Sequence, residues 1–418
     1  MNTYFSLRLS GLLLLTALLA GACHSAKSTR VDYTQPDATR DKKIRWQSKR
    51  TYTFEGSGVA VSNQFAGARL NDFRRENDST FTALIKPENA PINNSAWYAF
   101  KIWGPQPKAV TVNLVYQDGS HRYHPKISRD GRGWQALPAA AYQADTAQHV
   151  AQMRLDIGPD TLWVAGQEIF GARDFQRELA PFLALPFVRQ RAIGESKQGR
   201  AIFKMDIGEE KEPRRLVAII SRQHPPEVTG TYALLGFLRT ICGESDLARQ
   251  FRREFGVVAI PLMNPDGVAE GHWRHNTGGI DLNRDWLYFN QPETRVARDE
   301  FLKIKANPAQ QLFMFLDFHS TQRDIFYTMK PELETVPPHF SEQWLAEIQR
   351  RLPDYQVRER ASGTKSPVSK SWFYLTFGVP SVTFEIGDDT PRESVDRLAR
   401  VAAEVMMEQL LDYVAGSE

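Results

Sequence analysis

The sequence lacks features that would each have pointed to a particular class of protein. Cysteine is scarce, since Cys23 and Cys242 are the only two in 418 residues. Processing of the chain at Cys23 would leave Cys242 as a lone thiol, which we expect to be a small buried apolar residue and not part of a disulfide. An excess of charge is also missing. The net charge is +3 with both signs interspersed, which gives no reason to expect a nucleic acid as a partner.

Internal repeats and low-complexity runs are absent as well. What remains is the composition of an ordinary folded protein, with 42% hydrophobic and 24% charged residues. The chain is long enough for about two or three domains.

Residues 1–23 have the pattern of a targeting segment. Arg8 precedes the apolar stretch LSGLLLLTALLAGAC, which is too short to span a membrane as a mature helix. Ala20 and Ala22 fit an ordinary signal-peptidase site, whereas LAGAC resembles a bacterial lipobox in which Cys23 becomes the lipidated first residue. We favour the lipobox, because Cys23 is one of only two cysteines.

Both processing routes predict an exported protein. The lipobox predicts a periplasmic protein whose only membrane contact is a lipid anchor on Cys23, and the ordinary signal peptide predicts a secreted one. Residues 24–44 are polar and without periodicity, so we expect a flexible tether.

Residues 45–166 have the pattern of a β domain. The stretch KAVTVNLVYQDG alternates apolar and polar residues before a turn, and WYAFKIWG and AQMRLDIG behave similarly. Short strands separated by turn signals predict an antiparallel β-sandwich. Its aromatic cluster has two interpretations, a platform for carbohydrate or a core face with an interdomain contact, and we favour the second. This cluster comprises Trp97, Tyr98, Phe100 and Trp103.

Residues 186–416, after a predicted linker at 167–185, have the pattern of an α/β domain. The apolar strand candidates RRLVAII, FGVVAIPLM, QLFMFLDF and VPSVTFEI alternate with helical stretches such as TYALLGFLRTI and ESVDRLARVAAEVMMEQLLDYV. Near-continuous apolar strands of this kind are typical of a sheet buried on both faces. We therefore predict a mostly parallel mixed sheet with helices on both faces.

Polar side chains follow the ends of these strands. RRLVAII leads to His224 and Glu227, QLFMFLD to His319, and VPSVTF to Glu385. Open α/β sheets bind ligands at the carboxyl ends of their strands, so these groups should meet in one crevice. Two histidines and one carboxylate are a standard ligand set for catalytic zinc. The alternative is a chance pair in a surface loop, and we favour the metal.

The stretch GHWRHNTGGIDLNRDW supplies further polar groups beside the same edge. The guanidinium groups of Arg274 and Arg284 could face solvent, or could clamp a carboxylate through two parallel hydrogen bonds. Asp281 could accept the far ring N–H of a zinc-bound histidine.

With these residues in view, the chain resembles the zinc metallocarboxypeptidases of peptidase family M14, the family of carboxypeptidase A. The motifs HPPE, NPDG, WRHNTGGIDLNRDW, FLDFHS and TFEIG occur in the family order. The β region with NNSAWYAFKIWG looks like the N-terminal domain of the cytosolic-carboxypeptidase branch. The predicted export departs from the name of that branch.

The resemblance implies a role for each matching residue. It makes His224, Glu227 and His319 the ligands of one zinc ion. It makes Glu385 the general base and proton shuttle, and Arg274 the group that polarises the scissile carbonyl.

The resemblance also implies that Asn283 and Arg284 bind the terminal carboxylate of the substrate and that Asp281 orients His224. The family often carries a tyrosine in a mobile loop before the catalytic glutamate. The loop RERASGTKSPVSKSWFY does not identify it, although Tyr374 is available. Lys370 falls where the family reads the terminal side chain. It is either a reader of acidic termini or a solvent-facing loop lysine.

The predicted function is zinc-dependent removal of the C-terminal residue from a peptide or peptide-like substrate, with acidic or carboxylate-rich termini preferred. Peptidoglycan stem peptides fit the predicted compartment. One alternative is a zinc amidase or deacylase that acts on murein peptides or N-acyl amino acids. A second alternative is a non-catalytic binding lipoprotein on the same fold.

Overall fold

The computed structural model describes residues 42–145 and 150–416. The predicted signal segment, the lipobox at Cys23 and all but the last three residues of the predicted tether lie outside these ranges. Within them, no helix combines the length and the apolar character that crossing a membrane requires.

The first part of the described chain forms two β-sheets that share one core. Its strands are β1 (Thr51–Phe54), β2 (Val59–Ser62), β3 (Asp72–Arg75), β4 (Thr80–Ile85), β5 (Ala99–Trp103), β6 (Lys108–Tyr116), β7 (Lys126–Ser128), β8 (Gln135–Ala136), β9 (Tyr142–Asp145), β10 (Val150–Ile157) and β11 (Leu162–Ala165). One sheet has the order β1-β2-β5-β11-β7-β8 and the other β3-β4-β6-β10-β9. All pairs are antiparallel except β4 with β6. The predicted β-sandwich is confirmed, with one parallel pair within it.

The alternation predicted for β6 is present, because Val110, Val112 and Leu114 point into the shared core. Trp97, Tyr98 and Phe100 are buried in the same core. The core interpretation is therefore confirmed for these three residues, which are not exposed as a carbohydrate platform. Trp103, the fourth member of the cluster, is half-buried at the end of β5.

The second part of the chain forms an eight-stranded mixed sheet. Its strands are β12 (Val188–Glu195), β13 (Ala201–Ile207), β14 (Arg215–Ser221), β15 (Phe255–Ile260), β16 (Gln311–Thr321), β17 (Ile325–Met329), β18 (Glu359–Ser362) and β19 (Ser381–Gly387), in the order β12-β13-β15-β14-β16-β19-β17-β18. The four central strands, β15, β14, β16 and β19, are parallel.

Helices cover both faces of this sheet, as predicted. They are α1 (Ala172–Leu183), α2 (Val228–Ile241), α3 (Asp246–Glu254), α4 (Pro265–Glu270), α5 (Pro292–Ala306), α6 (Phe340–Arg351), α7 (Ser369–Phe377) and α8 (Arg392–Ala415). In β14, Val217 and Ile219 pack with α2 and α8, whereas Ala218 and Ile220 pack on the opposite face with α5 and α7. Alternate side chains of one strand therefore serve two separate cores.

The segment predicted as a linker contains α1, whose Phe175, Leu179 and Phe182 are buried in the core on the α2 side of the sheet. Cys242 ends α2 and is buried, as expected for a lone apolar thiol. Burial raises the pKa of this thiol to about 12.

The central parallel strands end at one edge. In their register His319 of β16 lies directly opposite Glu385 of β19, and Ser221 at the end of β14 lies opposite Phe318. The turn that follows Ser221 therefore begins beside His319, which is where the predicted metal ligands are needed.

Candidate active site

The three predicted zinc ligands converge on one point. His224 lies in the turn after β14, Glu227 immediately precedes α2, and His319 lies near the end of β16. The two carboxylate oxygens of Glu227 lie 2.7 Å from His224 Nδ1 and 2.7 Å from His319 Nδ1, and the two Nδ1 atoms are 3.2 Å apart. In the described parts of the chain, this is the one group of three such side chains whose ligand atoms lie within 4.8 Å of one another.

A buried carboxylate contacts the Nε2 atom of each histidine, on the side of the ring away from the metal centre. Asp281 Oδ1 lies 2.9 Å from His224 Nε2, as the sequence predicted. Asp317 Oδ2 lies 2.9 Å from His319 Nε2, and this partner was not predicted. The motif FLDFH contains the signal, because residues two apart on a strand face the same side.

The carboxylates of this group are held in their charged form. Burial disfavours the charge of Glu227, but His224 and His319 lie against it and keep its pKa below the usual range. Burial likewise opposes the charge of Asp281, but Arg274 and then His224 hold its pKa well below the usual range. A negative cluster with ring nitrogens at its centre is suited to a cation.

The donor set fits zinc. Because the Nε2 atoms face Asp281 and Asp317, the Nδ1 atoms are the ones left to point at the centre. Two imidazole nitrogens and a carboxylate at such short separations match the ligands that zinc takes in catalytic sites, with carboxylates behind the histidines. His224, Glu227 and His319 would hold the ion.

Glu385 borders this centre from the neighbouring strand. Its Oε2 atom is buried and has no hydrogen-bond partner among the described residues. Burial, and next the negative charge of Glu227, raise the pKa of Glu385 to about 7. A carboxyl group with a pKa near neutrality is suited both to accept and to return a proton.

Arg274, Asn283 and Arg284 lie on the segment between α4 and α5 and border the same cavity. Arg274 Nε donates to Asp281 Oδ2 at 2.7 Å. The side-chain oxygen of Asn283 accepts the backbone N–H of Ser369 at 2.9 Å, and Arg284, which is exposed, donates to the backbone oxygen of Asn283 at 2.7 Å. Arg274, predicted to polarise the scissile carbonyl, therefore stands together with Asn283 and Arg284, which were predicted to bind the terminal carboxylate.

The cavity has a volume of about 580 Å³, and Lys370 lines it from α7. Lys370 is 2% exposed, and its ammonium group donates to the backbone oxygen of Thr328 and, at 2.8 Å, to the hydroxyl of Ser362. The interpretation of Lys370 as a solvent-facing loop residue is wrong. Burial lowers the pKa of Lys370 to about 8.

Several side chains of this cavity were not predicted, among them an aromatic and a cationic one on the neighbouring strands β17 and β18. Tyr327 on β17 and Arg360 on β18 are direct partners across those two strands, and both line the cavity. Tyr374, which the sequence left available, is not among the lining residues. The sequence carried no clear signal for Tyr327 or Arg360, because their strands are short and that of Arg360 is polar.

The β domain supplies part of the cavity wall through Asn93, Asn94 and Arg122. Arg122 Nε donates to Asp388 Oδ2 at 2.9 Å, and this ion pair is buried. Asp388 directly follows β19, the strand of Glu385. Both domains therefore enclose the site.

Comparison with known proteins agrees with this geometry. The sequence profile of a family described as zinc carboxypeptidase (Peptidase_M14) matches residues 186–404, which is more than half of the chain. An uncharacterized protein of Zymomonas mobilis is 24% identical over 235 residues, which cover 54% of this chain and 59% of that protein. Cytosolic carboxypeptidase 3 of Mus musculus is 33% identical over 116 residues, which cover 27% of this chain and 12% of that protein. The matches thus cover less than two thirds of these relatives.

The fold is similar to that of a metallo-carboxypeptidase from Burkholderia cenocepacia. The TM-score is 0.71 at 19% identity, and the match covers 85% of this chain and all of that one. At this identity the likeness concerns the fold, and it extends over both domains.

We predict that the carboxylates behind the histidines govern zinc affinity. Asp281→Asn and Asp317→Asn should each lower it about 10–100-fold, because an amide holds the imidazole tautomer less firmly than a carboxylate does. Zinc per chain would be measured by metal analysis during titration with a competing chelator.

Asp266→Asn is the matched control for this experiment. Asp266 is also fully buried, but it binds Ser196, Gln198 and Arg200. The zinc affinity of the Asp266→Asn variant should therefore equal that of the wild type. Unchanged zinc affinity in Asp317→Asn would show that Asp317 does not support the metal centre.

Proposed function

The chain belongs to the zinc carboxypeptidase family, and from this membership we propose that it hydrolyses the C-terminal residue of peptides or peptide-like substrates. One observation carries the proposal. Two of the zinc ligands, His224 and Glu227, border one cavity together with Glu385 and the carboxylate-binding candidates Asn283 and Arg284, and the third ligand, His319, contacts Glu227. A site that holds the terminal carboxylate beside a hydrolytic centre selects the last peptide bond.

The proposed roles follow from the positions of the side chains. When bound, zinc supplies a water of lowered pKa and polarises the scissile carbonyl. Glu385 takes the proton from the attacking water and later gives it to the leaving amine, a role for which its buried Oε2 atom beside the metal ligands is free of hydrogen bonds within the described residues. Arg274, held at Nε by Asp281, presents its guanidinium to the developing oxyanion.

Asn283 and Arg284 orient the substrate through its terminal carboxylate. Arginine suits this task, because its planar group can make two parallel hydrogen bonds to a carboxylate. The backbone of Asn283 is itself fixed, since its N–H donates to Asp281 Oδ1 at 2.8 Å. The carboxylate-binding pair and the metal centre thus share one support.

We propose further that the enzyme prefers acidic or carboxylate-rich termini. Besides Arg274 and Arg284, the cavity wall carries the cationic groups of Lys370 and Arg360, and Tyr327 stands next to Arg360. Arg122 also lines the cavity, but its charge is paired with Asp388. Lys370 and Arg360 are thus two cations beyond those needed for the backbone carboxylate and the oxyanion, and they favour a negatively charged terminal side chain. Peptidoglycan stem peptides, which are carboxylate-rich, are a substrate class consistent with export.

Hydrolysis is tested with peptides ending in Glu, Asp, Lys, Phe and Ala, whose products are read by mass spectrometry. We predict loss of one terminal residue, and Glu385→Gln should lower kcat about 10²–10⁴-fold, because it removes the proton acceptor. Zinc content should stay at one ion per chain. Glu393→Gln, which exchanges an exposed glutamate at the start of α8, should retain full activity.

A zinc-loaded wild type that releases nothing from any of these peptides would contradict the proposal. The same protein would then be assayed on N-acyl amino acids and murein amides. Turnover there would identify the amidase or deacylase alternative, and inertness on all substrates would leave the non-catalytic binding lipoprotein.

The preference for acidic termini is tested with Lys370→Met. Losing a charge-assisted hydrogen bond costs about 1.5–3 kcal/mol, so the ratio of kcat/KM for Glu over Ala termini should fall about 10–100-fold. Lys365→Met, an exposed exchange five residues earlier that is outside the cavity wall, should leave the ratio unchanged. An unaltered ratio in Lys370→Met would show that Lys370 serves the packing of α7 and not selectivity.

We also propose that the chain is exported and anchored by lipid at Cys23, from the apolar stretch and the LAGAC motif alone. In a bacterial host, metabolic labelling with a fatty-acid probe should mark the wild type, and Cys23→Ser should abolish the label. An unlabelled wild type that is released in soluble form would indicate an ordinary signal peptide instead.

A further inference from the structure

Glu88 is a buried carboxylate that the β domain places against the segment carrying Arg274. It lies between β4 and β5 and is 0% exposed. Three successive backbone N–H groups donate to it, from Trp273 to Oε2 at 2.8 Å and from Arg274 and His275 to Oε1 at 3.0 and 2.7 Å. Successive amides that point at one centre form an anion-binding concavity, and here a side chain from the other domain fills it.

Neighbouring contacts hold the same segment to the β domain. Asn89 Oδ1 lies 2.6 Å from His275 Nδ1, and its amide group donates to the backbone oxygen of Gly279 at 3.0 Å. Trp273, which is fully buried, packs within the core of the β-sandwich. The Arg274 segment is therefore anchored on both sides of the arginine by the other domain.

We infer that Glu88 is a positioning residue for the proposed hydrolysis, because it fixes the backbone from which Arg274 reaches the oxyanion. The inference rests on the proposed function. Arg274 is held at two points, by Glu88 at its backbone N–H and by Asp281 at its side-chain Nε. A donor stabilises a developing charge only if it is fixed beforehand, and a misplacement of about 1 Å can cost about 10²-fold in rate.

The chemistry of Glu88 matches this task. Burial disfavours its charge, but His272, His275 and Arg69 surround it, and its pKa is lowered to about 2. An ionised carboxylate is an acceptor on every side, so it can receive all three N–H groups. A glutamine in its place would turn an NH₂ donor toward at least one of them.

The test uses the full zinc-loaded protein with Glu88→Gln, and compares it with Gln47→Leu. Gln47 also bridges the domains, since it donates to the backbone oxygens of Ala68 and Glu270, but none of the hydrogen bonds that its side chain makes within the described residues reaches residues 273–275. Each variant disturbs hydrogen bonding between the domains, at Glu270 in Gln47→Leu and at residues 273–275 in Glu88→Gln, and only Glu88→Gln should loosen Arg274.

For Glu88→Gln we expect kcat to fall about 10–100-fold, with KM within about threefold and zinc content unchanged, because Arg274 acts on the transition state. Amide hydrogen exchange at residues 273–275 should accelerate at least about tenfold. Gln47→Leu should show neither change. In an Arg274→Ala background, Glu88→Gln should lower kcat no further, since the group it positions is already gone.

Unchanged amide exchange at 273–275, or a full additional loss of kcat in the Arg274→Ala background, would overturn the inference. If Glu88→Gln does not fold, as judged by circular dichroism, Glu88→Asp carries the test. Glu88→Asp keeps the negative charge, but its side chain is shorter by one methylene. As in Glu88→Gln, amide exchange at 273–275 should accelerate and kcat should fall. A wild type without hydrolytic activity would contradict the proposed function alone, and amide exchange would then decide whether Glu88 fixes the segment.

Discussion

The hydrogen bonds of the buried Asp281 carboxylate are the interactions on which both the metal centre and the proposed substrate-binding residues depend. One of its oxygens lies against His224 and accepts the backbone N–H of Asn283, and the other accepts Arg274 Nε. An isolated buried carboxylate would be strongly unfavourable, and these partners help to make its charge tolerable. The same pairing fixes a metal ligand, the proposed oxyanion group and the proposed carboxylate-binding segment at once.

The sheet brings the remaining groups to Asp281 by its register. Three parallel strands, β14, β16 and β19, deliver the turn of His224, then His319, then Glu385 to one edge. Helix α2 must approach this edge closely for Glu227 to reach both histidines. Gly230 permits the approach, because a Cβ atom there would lie 2.4 Å from the carbonyl oxygen of His319.

The sequence predicted those parts of the site that depend on local pattern. Apolar stretches followed by polar residues located His224, Glu227, His319 and Glu385, since parallel strands share an edge. His319 and Glu385 were expected after their strands, but they lie within β16 and β19, which extend past them. Asp317 was within reach of the same reasoning, as the second residue before His319 on one strand.

Other features depend on information that a local pattern does not hold. Helix α1 lies in the segment that was predicted as a linker. Its sequence contains Pro181 near the end of the helix, and a proline inside a sequence segment argues against a helix. Arg360 lies on a strand of sequence ERAS, whose polar residues resemble a loop. Glu88 stands far from Arg274 in the chain, and only the packing of two domains reveals that it meets residues 273–275.

This packing also means that the two domains, although separate in sequence, depend on each other for stability. Removal of the β domain would expose Trp273, whose burial contributes about 1.5–3 kcal/mol, and would leave the three N–H groups now bound by Glu88 without their carboxylate. Hydrogen bonds to a charged group contribute about 1.5–3 kcal/mol each. Against the typical net stability of a domain, about 5–15 kcal/mol, these losses are large. They fall on the segment that carries Arg274, so in this chain the β domain and the proposed catalytic geometry are coupled through the same few contacts.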